Sequence, residues 1–175
     1  MNPGGLLLLA AVAMLVGIAS AHSAPRVWLA ASLIGAVATF AAAVGVLSGG
    51  ETWNWRSDFL VGGETVQLRL DAVSAFFLVL LAVLGGACST YSNTYWSDAA
   101  HPRAAPSGRA WLTALLGFMG LVLLSTNGLH FLIGWELYTV SAYFLITRER
   151  QKREVRAAGW LYLGASHAGT LCLFA

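Results

Sequence analysis

Apolar residues run in long blocks along this chain, and polar positions gather between the blocks. The hydrocarbon layer of a bilayer is about 30 Å thick, and roughly 20 apolar residues rising 1.5 Å each cross it as a helix. Blocks of that length run from Gly4 to about Ala21, from Val27 to about Leu47 and from Ala72 to about Tyr95. The third is bounded by Asp71 before it and Trp96-Ser97-Asp98 after it. From Ala110 to Thr147 the only charge is Glu136. That stretch is too long for one span. Ser125-Thr126-Asn127-Gly128 supplies turn chemistry within it, so it divides into an antiparallel pair, 110–125 and 128–147. A sixth block runs from Arg156 to Ala175. The pattern predicts an all-α polytopic membrane protein, a single transmembrane domain over 1–175 with about six transmembrane helices.

One connection has a different period. Between Ser48 and Asp71, Val66, Leu68 and Leu70 alternate with Thr65, Gln67 and Arg69, after Phe59-Leu60-Val61 and a Gly62-Gly63 turn. Alternation after an apolar run and a glycine pair predicts a β-hairpin-like loop outside the membrane. Trp53 and Trp55 beside it read as interfacial aromatics, which favour the head-group region. The first block has a rival reading as a cleaved signal peptide, because the small residues of Ala19-Ser20-Ala21-His22-Ser23-Ala24 resemble a cleavage site. A signal peptide also carries a basic leading region, and Met1 to Gly5 has no charged side chain, so a retained helix is expected. No polar flank follows the sixth block. Either that helix stops at the membrane surface or the sequence is the N-terminal part of a longer subunit, and the second is the expectation.

Composition narrows the class. Of the 175 residues 58% are hydrophobic and 10% charged, against about 25% charged in ordinary soluble domains, and the mean hydropathy is +0.70. A soluble domain of this length could not hide so much apolar surface. A net charge of +2 points to no nucleic-acid partner. Cys88 and Cys172 lie in apolar stretches with no metal-ligand spacing and read as packing residues. Nor does the chain hold a P-loop, a dinucleotide fingerprint or a cluster-binding pattern, so no cofactor, metal or redox centre is expected within it.

The distribution of charge says more than its sum. With six spans, Arg26, Arg103, Arg109, Arg148, Arg150, Lys152, Arg153 and Arg156 fall on one side, and only Arg56 and Arg69 on the other. Basic residues stay on the cytoplasmic side. The expected protein is therefore a multi-pass protein of the cell inner (cytoplasmic) membrane. Its N-terminus and hairpin lie outside and its Arg148–Arg156 loop inside, where lipid head groups are the ordinary partners.

Seven of the eight acidic residues sit in connections or at helix ends; Glu136 alone lies deep within a span. Counted from Gly128 it is about 12 Å below the outer boundary, where a carboxylate is costly and marks a functional hypothesis. Desolvation disfavours its charged form and a nearby cation favours it, so a movable partner could switch its proton affinity. The alternative is a hydrogen-bonded Glu that fixes packing. His167, counted from Arg156, is about 16 Å in from the other side and so at similar depth. It reads equally as a second proton-exchanging group or as a histidine bonded within a helix interface, among Gly164, Ala165, Ala168 and Gly169. Thr139 and Tyr143, three and seven residues beyond Glu136, share its face and could line a pocket or merely satisfy nearby backbone groups. His130, near the outer end of the same span, is expected at the interface.

Phe131-Leu132-Ile133-Gly134-Trp135-Glu136, followed by Ser141-Ala142-Tyr143-Phe144-Leu145-Ile146, resembles a helix of the antiporter-like subunits. That family includes the large membrane subunits of complex I, the Mrp cation/proton antiporters and the group 4 hydrogenases. Leu68-Arg69-Leu70-Asp71-Ala72-Val73-Ser74-Ala75-Phe76-Phe77 is similar to the segment that opens the family's third helix, and Tyr91 to Tyr95 to the one that follows. Arg156 to Thr170 resembles the hydrogenase-4 and formate hydrogenlyase branch more narrowly. The resemblance covers Leu68 to Ala175, and the first two helices only in layout. It implies a proton- or Na+-translocating subunit that works with other membrane subunits of a hetero-oligomeric redox complex; the alternative it leaves is a subunit of a multisubunit Na+(K+)/H+ antiporter. It places Glu136 on the family's proton-channel glutamate and His167 on a histidine of the hydrogenase-like branch. The family pairs that glutamate with a lysine on a later helix, whereas the only lysine here is Lys152, in a loop.

The charge asymmetry generates a direct test of topology. In a chain whose Cys88 and Cys172 have been replaced, a cysteine at Gly63 should react with an impermeant maleimide from outside. One at Gln151 should react only from the cytoplasm. A reversed pattern overturns the orientation, and labelling of both from one side overturns the alternating spans.

Overall fold

Peptide groups inside a hydrocarbon layer have no water to bond to, so long apolar blocks satisfy their own backbone as helices. The computed structural model describes residues 2–174. It contains α1 (Pro3–Ser20), α2 (Pro25–Leu47), β1 (Trp53–Val61), β2 (Glu64–Leu70), α3 (Ala72–Tyr95), α4 (Ala104–Leu124), α5 (Gly128–Ile146) and α6 (Arg153–Phe174). The expected six helices and single hairpin are present, and α1 to α5 are each long and apolar enough to cross a membrane. α6 is as long but less apolar, because Arg153, Glu154 and Arg156 fill its first turn and Ser166, His167 and Thr170 interrupt the rest.

Local chemistry sets the helix starts. Asn2 accepts a hydrogen bond from Gly4 N at 3.0 Å, and Asn127 accepts one from Leu129 N at 2.7 Å. Asp71 accepts from Ser74 N at 2.9 Å, and this bond holds its carboxyl below its ordinary range. Pro3 and Pro25 open α1 and α2, where a missing N–H costs nothing. The largest departure from expectation is α4. It begins at Ala104 rather than 110, because Pro106 also fits a first turn, and Arg109 therefore lies inside the helix. α6 likewise begins at Arg153, three residues early.

The bundle is packed on small residues. Ala10, Ala13 and Gly17 of α1 and Ala31, Gly35 and Ala38 of α2 are buried, while Leu8, Leu15, Val37 and Leu84 face outward. Such a distribution suits helices whose backbones approach closely in lipid, where large apolar chains gain nothing by hiding from water. α1 packs on α2 and α4, α3 on α2 and α4, α5 on α4, and α6 on α5.

Contacts between the connections confirm the alternation of sides. At one end the hairpin closes through Gly62 and Gly63, both at positive φ as a two-residue turn of this hand requires. Its strands run antiparallel from Trp53↔Leu70 to Val61↔Glu64, with a register shift between Arg56 and Leu60. Leu68 bridges to Ser125 of the α4–α5 turn, and Thr126 Oγ1 donates to Gln67 O at 3.3 Å. Trp53 packs over Gly4 and Leu70 is fully buried, whereas Trp55 is exposed.

The opposite end is tied by Arg109. Its Nε donates to Ala21 O at 2.9 Å, and its two terminal nitrogens bind the carboxylate of Asp98 at 2.9 and 3.2 Å. The guanidinium is 5.9 Å from the Trp28 ring centroid, and Trp28 Nε1 donates to Thr113 Oγ1 at 2.9 Å. The end of α1, the start of α2, the α3–α4 connection and α4 thus meet at one arginine. Trp28 is fully buried, so its N–H has no other partner to turn to. Thr113→Val should cost about 1–3 kcal/mol by orphaning that donor, read as earlier thermal unfolding in detergent, while Thr113→Ser should retain most of the stability. An unchanged unfolding curve for Thr113→Val would show that the bond carries no weight.

Candidate functional site

Glu136 sits at the midpoint of α5, and the α5–α6 seam determines what it meets. Gly159, buried on α6, lies where a Cβ would approach Tyr143 Cε2 to 3.0 Å, and Trp160 lies 6.4 Å from Tyr143. With the two helices antiparallel, that contact sets the register: Tyr138 falls beside Tyr162, and Glu136 beside His167. The distance between Glu136 Oε2 and His167 Nε2 is 3.4 Å. The structure therefore brings together the two ionisable residues that depth alone had matched.

The rest of the hydrogen bonding assigns the proton positions. His167 Nδ1 is 2.8 Å from Leu163 O, one turn back on its own helix. A carbonyl only accepts, so Nδ1 carries hydrogen and donates. Nε2 is then a lone pair when the ring is neutral and an N–H when it is charged. Facing a carboxyl oxygen, the first state calls for Glu136 as an acid and the second for Glu136 as a carboxylate. Either arrangement places one proton between the two side chains. At 3.4 Å the atoms stand slightly beyond the usual N–H···O range, so a direct hydrogen bond needs a small side-chain approach.

Thr139 and Tyr143 take different parts. Thr139 is buried and Tyr143 faces Gly159 and Trp160, but the partner the structure gives the Glu136 carboxyl is His167, not either hydroxyl. The pair is also incompletely covered: the Glu136 side chain is 35% exposed and that of His167 51%. No metal-binding group of His, Cys, Asp and Glu forms among the described residues.

His130 lies in the first turn of α5, at the helix end expected of it, but it is 5% exposed and packed into protein, with neither ring nitrogen bonded among the described residues. The inward-turned arginines also escaped a reading based on orientation. Arg109 is buried as described, and Arg148 Nη2 donates to Ala104 O at 2.9 Å while its guanidinium stacks 4.5 Å from the Trp96 ring. Pro106 was the available signal for Arg109, since it moves the start of α4 ahead of it.

With that geometry in place, comparison with known proteins adds an independent line. The chain is 30% identical over 108 residues to the hydrogenase-4 component B of Escherichia coli strain K12. The matched region is 62% of this chain and 16% of that protein. This is a membrane protein related to hydrogenase-4 component B. No family model matches the chain. The chain spans about one sixth of its relative's length.

The ring tautomer is measurable without any activity. In chain labelled with 15N-histidine in detergent, the neutral His167 ring should carry its proton on Nδ1. His167→Asn identifies the signal. A neutral ring protonated at Nε2 would refute the one-proton arrangement.

Proposed function

We propose that this chain is part of a proton-translocating membrane subunit of a complex-I-like or hydrogenase-4-type complex, in which Glu136 and His167 exchange the translocated proton. The observation that carries this reading is the Glu136–His167 contact at 3.4 Å, at mid-helix, in a chain related to hydrogenase-4 component B. A carboxyl and an imidazole differ in the sign of charge they acquire, so a proton passing between them leaves the net charge of the pair unchanged. Such a step is affordable where hydrocarbon penalises any isolated charge.

The partners that follow from this reading are other membrane subunits of a multisubunit redox complex, which would supply the electron-transfer chemistry. The exposure of the pair fits that assignment. A half-exposed carboxyl–imidazole pair is not stable against acyl chains, so further protein or a hydrated cavity covers the α5–α6 face in the membrane. The basic residues on the Arg26, Arg103 and Arg148 side orient that end to the cytoplasm, and the hairpin outward.

Substitution at Glu136 separates proton exchange from packing. Glu136→Gln keeps size and hydrogen-bonding capacity without titrating, whereas Glu136→Asp titrates but draws the carboxyl back by one methylene. In the assembled complex in vesicles with a pH-sensitive dye, the Gln variant should abolish translocation and the Asp variant should retain part of it. Packing alone predicts the opposite ranking, with Asp the more damaging because it leaves a gap. Normal pumping by a well-assembled Glu136→Gln complex would rule the mechanism out.

A further inference from the structure

The end of the bundle that carries most of the basic residues holds a cavity that the proton pair does not use. Its volume is about 690 Å³, and it lies between the α3–α4 connection and the α5–α6 loop. Arg103, Arg148 and Arg150 line it, with Ser107 at the start of α4 and His101 beside them. Glu149 is the only carboxylate in the lining, and it is committed to Lys152 by an ion pair at 2.5 Å that holds its pKa down and that of the lysine up. Three guanidinium groups thus face a space with no free negative charge.

Arg148 and Arg150 each pack against an aromatic ring, while Arg103 is exposed. Arg148 stacks on Trp96, which itself stacks on His101 at 3.7 Å between centroids, and Arg150 lies 5.7 Å from the Phe144 ring centroid. Gly108 makes room for Arg148, because a Cβ there would overlap the guanidinium. Arg156 donates to Arg150 O at 2.7 Å and to Gln151 O at 3.0 Å, bracing the loop. Arg148 Nε is buried and has no hydrogen-bond partner among the described residues. Burial and the charge of Arg109 act against the protonated form of Arg148, and an anion in the cavity would offset both. Toward the hydrocarbon the cavity is lined by Trp111 and Phe144, stacked at 4.2 Å. A site with fixed cations at head-group height and flat aromatic rings below it matches a ligand charged at one end and apolar at the other.

We propose that this cavity binds the phosphate group of an anionic phospholipid, with Arg103, Arg148 and Arg150 around the phosphate and an acyl chain along Trp111 and Phe144. Guanidinium groups suit phosphate because they donate in a planar fork, and basic pockets between transmembrane helices on this side of a membrane take such head groups. The loop between α5 and α6 is then ordered by a lipid as well as by its own hydrogen bonds.

The test titrates the detergent-solubilised chain with phosphatidylglycerol, phosphatidylcholine or inorganic phosphate and counts bound ligand by native mass spectrometry. Phosphatidylglycerol should bind and survive activation, phosphatidylcholine should bind far more weakly, and inorganic phosphate should not displace the lipid at equal concentration. Arg103 and Arg150 are exposed at the cavity mouth, and replacing both with Gln should weaken phosphatidylglycerol binding roughly tenfold to thirtyfold while leaving lipid-free unfolding unchanged. The control replaces Arg26 and Arg153, exposed outside the cavity, with Gln. An equal loss in that control would show diffuse attraction and overturn the site. So would equal binding of phosphatidylcholine, efficient displacement by inorganic phosphate, or no lipid binding.

Discussion

Nothing in a hydrocarbon layer hydrogen-bonds to a peptide group, and the structure is ordered by that constraint. Backbone polarity is consumed within helices, and the ends are closed by Asn2, Asp71 and Asn127 or by prolines that have no N–H to satisfy. The one stretch of strand lies in a connection and lends its free edge to the α4–α5 turn through Leu68 and Ser125. With the backbone settled, what remains for side chains is contact. The interior accordingly goes largely to alanine and glycine, with Trp28, Val46, Leu70 and Leu78 as the large buried exceptions, and many other leucines and valines turn outward.

The same constraint fixes where charge can stand. Away from water an arginine survives by binding everything it can reach. Arg109 does so with a carbonyl from α1, both oxygens of Asp98 and the face of Trp28. Removing the guanidinium would untie two connections and a face of α2 at once, so this residue is structural although it reads in the sequence as one more orientation charge. Arg148 is held less completely, with one bonded nitrogen, one stacked ring and one buried nitrogen unpaired. The contrast between the two arginines separates a finished structural tie from a group with capacity to spare.

Much of this was legible before any coordinates. Block length and the Asn127-Gly128 turn gave the helices, and alternation about Gly62-Gly63 gave the hairpin, because both patterns reflect local physics. Helix ends were less legible. Hydropathy places an end where charge appears, but Arg109 and Arg153 are charged and helical. The burial of His130 was out of reach, since it depends on what α5 packs against rather than on its own sequence. The approach of Glu136 and His167 was legible only as matched depth. Their contact needed the rotation of both helices, which the small residue Gly159 and its neighbour Tyr143 fix from two turns away.

That contact also bounds what the pair can do alone. With one proton between them, acid plus neutral ring and carboxylate plus charged ring are both neutral overall, although the second carries the desolvation of two opposite charges, which only their close contact offsets. Gaining a second proton or losing the first leaves a net charge at mid-helix, and in a low-dielectric surrounding that is the expensive step. The proposed translocation would require that step once in each direction. On that proposal the pair holds and relays a proton, and admission and release are driven by something that changes the local field or hydration from outside it. The open α5–α6 face, where Glu136 and His167 remain 35% and 51% exposed, is the surface from which such a change can act.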